Sequence, residues 1–309
     1  MQLEGNKESS SDNNVQSEGL SLFTSLRAYV DDVGQEQATG KDKLFSMCIR
    51  SSFVKCYEFN LYAWDEDYSE SSFHWLSTLR GICEDIIVLN YVQDICEIDR
   101  NQLLFYLQIH ELNDSLKVQN AFFQKARPQQ AVIHSKLTSA ELEKLESDIR
   151  NIWRTNGWPD MKKKVMPPTY QIAQKSGRDI LQTLYEYMYR LTSKSVHFSV
   201  RGLLRHGWGE LPNCTFSTKH FSRYYTMFGR IYGAFMFCIY FELFGTYFPR
   251  EDEEIKILVD KIRRSILKFS RWPEMVTPEE MNMEPPEIKL LQQVVSFIQA
   301  DARKRLLDE

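Results

Sequence analysis

The chain has 309 residues, 43% of them hydrophobic and 13% aromatic, with a formal net charge of −4. That is ample apolar material for a core, and it excludes a histone-like polycation. The charge is uneven: residues 1–40 carry seven acids against two bases, a net of −5, which leaves +1 for residues 41–309.

Residues 1–20 are rich in Ser, Asn, Glu and Gln, have little to bury and are expected to be disordered. A short helix over 21–33 closes an acidic tail, 1–40, ahead of a single helical domain, 41–309. Its core is 41–248 and its extension 249–309. Lys43 to Trp64 reads as the first long helix, with Leu44, Met47, Cys48, Val54, Cys56 and Phe59 on a wide apolar face. After the polar turn Asp65-Glu66-Asp67, Ser69 or Ser71 is placed to cap a second helix. That helix buries Trp75, Leu79, Ile82, Cys83, Ile86 and Leu89. Arg80 and Glu84 stand beside this stripe at the spacing of an intrahelical ion pair.

Asn101–Phe123 and Ser139–Trp153 read as further helices, the latter stopped by Asn156-Gly157-Trp158-Pro159. Lys162, Lys163 and Lys164 lead to Pro167-Pro168. Thr169 to His206 then opens as one amphipathic helix through Ile172, Ala173, Ile180, Leu184, Met188 and Leu191. Gly207 to Asn213 is an irregular loop. Phe216–Phe248 is an aromatic-rich helix, apolar nearly all round, and is expected to be central. Pro249 is placed to start the next helix, and Glu287 to about Leu306 forms the last. No strand pattern competes, so the expected fold is an all-α multi-helix bundle with a disordered N-terminal tail.

Arg190 and His197 are seven residues apart, close to two turns, so an unbroken helix puts both on one face roughly 10 Å apart along its axis. Such a pair suits holding a phosphate and moving a proton near it. In the sharper reading His197 is a general base and Arg190 a phosphate clamp. In the plainer one His197 is hydrogen-bonded to Glu84 or a tyrosine, and Arg190 pairs with Glu186. Arg80 and Glu84 form a buried structural pair, with Tyr189 and Ser193 in support. Lys194, Arg201, Arg205, His206, Lys219 and Arg223 interleave with aromatic residues, as single-stranded RNA or nucleotide sites do. A solvated basic face is the alternative.

Two segments resemble a known family. Leu79-Arg80-Gly81-Ile82-Cys83-Glu84 places an Arg and a Glu on an apolar helix. Ile172-Ala173-Gln174-Lys175-Ser176-Gly177 precedes Tyr185, Tyr189-Arg190-Leu191-Thr192-Ser193 and Val196-His197. Together they resemble the all-helical bacterial family catalogued as domain of unknown function 5677, over roughly residues 40–245. The resemblance implies an all-α fold and almost nothing about activity. More remotely, Arg190 and His197 with six residues between them, and Arg201 and His206 with four, are similar to the Arg–His spacing of HEPN ribonucleases. That likeness implies a metal-independent ribonuclease effector in phage defence or a toxin–antitoxin system. The alternative expectation is a non-enzymatic helical module that binds a partner protein or a signalling nucleotide.

There is no Gly-rich phosphate loop, His-Glu-x-x-His or paired Glu-x-x-His motif, so neither metal nor cofactor is expected. The six cysteines form no Cys-x-x-Cys pair and the N-terminus has no apolar signal segment, which points to a reducing cytoplasm. The apolar run Met236–Phe244 is too short to span a bilayer and contains Glu242, so no membrane association is expected. Expected partners are RNA or a nucleotide, a defence or antitoxin protein, and a second copy of the chain in a homodimer or higher even oligomer.

Overall fold

The computed structural model describes residues 10–35, 43–65, 72–159, 161, 164–204, 206–208, 215–248, 253–269 and 271–276. The expected helix at 287–306, the Pro249 helix start and the Ser69 or Ser71 cap lie outside them. Two units are distinguished, residues 1–270 and 271–309. In the second, the described stretch carries an Arg271–Glu274 ion pair at 2.6 Å.

The fold is all-α, as expected. Helix α1 (Ser10–Ser25) starts inside the tail, and its C-terminal end docks: Leu22 and Phe23 are buried, as are Leu26 in the turn that follows and Val30 and Val33 of α2 (Arg27–Gln35). Five polar residues, Ser10 to Asn14, can therefore lead into a segment whose three apolar side chains supply the burial that composition averages away. Helix α3 (Lys43–Trp64) has the expected bounds, and α4 (Trp75–Gln93) follows a short 3-10 turn. Helix α5 (Glu97–Ala126) extends beyond both expected ends. Helix α6 (Ser139–Thr155) begins at a capping box, in which Thr138 accepts from the Glu141 backbone and Glu141 accepts from the Thr138 backbone.

Helix α11 (Ser222–Phe244) is central. It packs against α3, α4 and α12 (Glu253–Leu267). By length and composition it could cross a membrane, yet 72% of its most apolar window is buried inside the protein. The run Met236–Phe244 is thus part of a longer apolar helix, and core packing accounts for that helix. Most of its aromatic side chains are buried within the chain. Phe237 stacks on Phe53 at 5.3 Å and meets the Phe23 edge at 5.3 Å, while Phe53 lies 4.3 Å from Phe248. Gly233 permits this closeness: a Cβ there would lie 2.5 Å from the Phe59 ring.

Several polar groups in this core are bonded. The Asn60 amide donates to the carbonyls of Cys56 and Gly233 at 2.8 and 3.1 Å, and Tyr240 donates to Ile49 at 2.9 Å. Arg230 is buried and donates to the Ala63 carbonyl at 2.8 Å. It belongs to the core.

The expected continuous helix from Thr169 is broken. Helix α7 (Thr169–Lys175) ends where Gly177 adopts φ +65°, and α8 (Asp179–Thr183) follows. Leu184–Tyr189 is π-helical, and α9 (Arg190–Val196) and α10 (Val200–Leu204) come after it. A minimal strand pair also forms: β1 (Gly207–Trp208), in the expected loop, pairs antiparallel with β2 (Thr215–Phe216), so Phe216 is strand and does not open the aromatic helix as expected.

Candidate functional site

The π-helical turn Leu184–Tyr189 organises the site. A π turn widens the backbone and displaces carbonyls from their usual partners. Here side chains answer three of them. Cys83 Sγ donates to Leu184 O at 3.6 Å, Thr192 Oγ1 to Met188 O at 2.6 Å, and Ser193 Oγ to Tyr189 O at 2.6 Å. Thr192 is fully buried and Cys83 is buried on α4, so the turn is held from both sides. Burial pushes the Cys83 thiol well above its ordinary value and keeps it protonated.

Arg80, on α4, ties that helix to the turn. Its Nε donates to Ser193 Oγ at 3.1 Å and its Nη2 to the Tyr189 hydroxyl at 2.8 Å, and its guanidinium also lies 4.8 Å from the Tyr189 ring centroid. Glu84 is a long-range partner at 3.9 Å, and both side chains are part-exposed. The expected buried Arg80–Glu84 pair is therefore loose. Arg80 binds mainly across helices, and Glu84 accepts from Thr169 Oγ1 on α7 at 2.9 Å.

Across the turn, Tyr185 stacks on Tyr189 at 4.9 Å with Tyr170 at 6.3 Å from Tyr185. A cavity of about 240 Å³ opens here, lined by Tyr170, Ala173, Gln174, Gln182, Tyr185, Glu186 and Arg190. Partial burial raises the Tyr185 phenol above its ordinary range, Tyr189 adds to the rise, and nearby Arg190 opposes it. The phenol is neutral at physiological pH.

Arg190 is exposed at this cavity. No ion pair joins it to Glu186. The i,i+4 geometry that would align the two belongs to an α-helix, whereas Glu186 lies in the π turn, and both side chains line the cavity. His197 caps α9 with φ −101° and ψ 160°, its backbone N–H donating to Ser193 O at 2.9 Å. It is exposed, and neither Glu84 nor a tyrosine holds its imidazole. Arg190 and His197 remain at the two ends of α9, the only part of the expected long helix that connects them.

The basic residues are placed as follows. Lys194, Arg201, Lys219 and Arg223 are exposed; Arg205 lies outside the described residues. His206 is half-buried, with its ring 4.7 Å from Phe73. Among the described residues no three of His, Cys, Asp and Glu converge as a metal-ligand set. Sequence reasoning gave no role to Tyr170, Thr169, Gln174 or Gln182. The available signal was Tyr185 and Tyr189 at i,i+4, with Tyr170 just after a Pro-Pro break.

No curated protein and no solved structure matches the chain. A family match spans residues 43–213, more than half the chain, and includes every residue of the Arg80–Tyr189–Arg190 cluster and His197. The chain belongs to the family of unknown function DUF5677.

Proposed function

We propose that this protein binds a nucleotide, free or at a single-stranded RNA end, in the cavity beside the π-helical turn. The observation that carries the reading is Arg190: an exposed guanidinium, unpaired with Glu186, at a cavity walled by Tyr170 and Tyr185. A planar fork suits phosphate oxygens, and phenol rings accept a stacked base. At about 240 Å³ the space is smaller than a drug-sized pocket and suits one ring system. Gln174 and Gln182 supply amide donors and acceptors for base edges. The test is equilibrium binding of nucleoside monophosphates and a short single-stranded oligoribonucleotide. Tyr170→Ala and Tyr185→Ala are expected to weaken both. Binding indifferent to both substitutions would refute the site.

Metal-independent ribonuclease action is the second reading. The placement of Arg190 and His197 at the two ends of α9, both exposed, supports it, together with the resemblance to HEPN nucleases. In that form His197 takes the 2′-hydroxyl proton while Arg190 stabilises charge on the phosphate. RNA cleavage in the presence of EDTA tests it. His197→Ala and Arg190→Ala should each abolish cleavage, and variants that cleave like the parent would end this reading while leaving the binding site standing.

A further inference from the structure

We infer that the corner formed by the end of α9, α10 and strand β2 docks on an anionic lipid bilayer. Five large apolar side chains are open to solvent here: Val196 is 46% exposed, Phe198 85%, Val200 59%, Leu203 56% and Phe216 66%. Single exposed apolar residues are ordinary on a soluble surface, but a concentrated group marks an interaction surface. The stretch is compact. A Cβ built on Gly202 would stand 3.2 Å from the Lys194 carbonyl oxygen, so α10 folds back on the end of α9. The pairing of Gly207 with Phe216 returns β2 close to the foot of α10.

Lys194, Arg201, Lys219 and Arg223 are exposed along the same stretch, and the sequence from 190 to 223 holds one acid, Glu210, against six bases. An anionic partner is therefore matched in charge. A second copy of the chain is matched poorly, because a two-fold contact sets the same patch against itself and brings these bases together. RNA would satisfy the charge and could stack on Phe198 and Phe216, but Val196, Val200 and Leu203 offer no ring to a base. A bilayer interface takes both kinds of residue: aliphatic and phenyl side chains enter the headgroup boundary while Lys and Arg reach lipid phosphates and carboxylates. The surface lies on a different part of the chain from the nucleotide cavity and does not depend on that reading.

The experiment is co-sedimentation of the full chain with phosphatidylcholine vesicles, with and without phosphatidylserine. Binding should require phosphatidylserine and weaken with salt. The double variant Phe198→Ser/Leu203→Ser should lower partitioning about tenfold or more. Lys194→Gln and Arg223→Gln should lower it about fivefold each. All four positions are exposed, so unchanged thermal melting is the control for folding. No sedimentation with phosphatidylserine vesicles overturns the inference. So does binding that falls with the base variants and ignores Phe198→Ser/Leu203→Ser, since that is charge attraction without insertion. An oligoribonucleotide that binds through Phe198 and Leu203 while vesicles are ignored assigns the surface to RNA instead.

Discussion

Arg80 and Arg190 are drawn from one cluster and put to opposite uses. Arg80 spends its donors on Ser193 and Tyr189, across helices, and lies over the Tyr189 ring. Arg80→Ala leaves those hydroxyls without their donor and removes the packing of the side-chain stem, so it should lower unfolding free energy by about 1–3 kcal/mol in chemical denaturation. Arg190 is exposed and spends nothing on Glu186. Arg190→Ala should shift stability by less than about 0.5 kcal/mol. His197→Ala should behave likewise, because its imidazole is exposed. A large loss of stability in either variant would show a structural role that the geometry does not contain.

At the scale of elements, the π turn is what sequence periodicity could not show. Ile180, Leu184 and Met188 recur every four residues, a spacing between the α and π turns that a single amphipathic helix also satisfies. What the π turn changes is the polar face, and there the Glu186–Arg190 pair fails. Thr192 and Ser193 carried the local signal, since hydroxyls that bond back to helix carbonyls accompany distorted turns. Thr192→Val keeps the shape and removes the hydroxyl from Met188 O; it should cost about 1–2 kcal/mol and blunt ligand binding in the neighbouring cavity. The long helices were legible, α3 to its bounds, because an apolar face recurring over five turns leaves little choice. The cavity was not, since Tyr170 and Tyr185 meet only through the break at Gly177. Gly233→Ala tests the packing of α11 on α3: its Cβ meets the Phe59 ring, and overpacking should cost about 1–3 kcal/mol.

For the whole molecule, the aromatic core built on α11 sets stability, and it carries weak acids that must stay protonated. Burial pushes the Cys238 thiol from 9.0 up to about 12 and raises the Tyr240 phenol well above its ordinary value. In the unfolded chain both release protons at lower pH than in the folded one. Their stabilising contribution is therefore complete below about pH 9 and is lost as pH rises from 9.0 toward about 12. Thermal melting followed across that window should fall, and Cys238→Ala should flatten part of the fall. The same rigid core holds α4 against α9 and so fixes Arg80 behind the cavity. Isothermal titration of a nucleoside monophosphate into the parent and Arg190→Ala proteins tests that central claim most directly. The account predicts saturable one-to-one binding by the parent, about tenfold or more weaker in Arg190→Ala at unchanged melting temperature. Equal affinity in the two proteins, or no heat of binding in the parent, would contradict it.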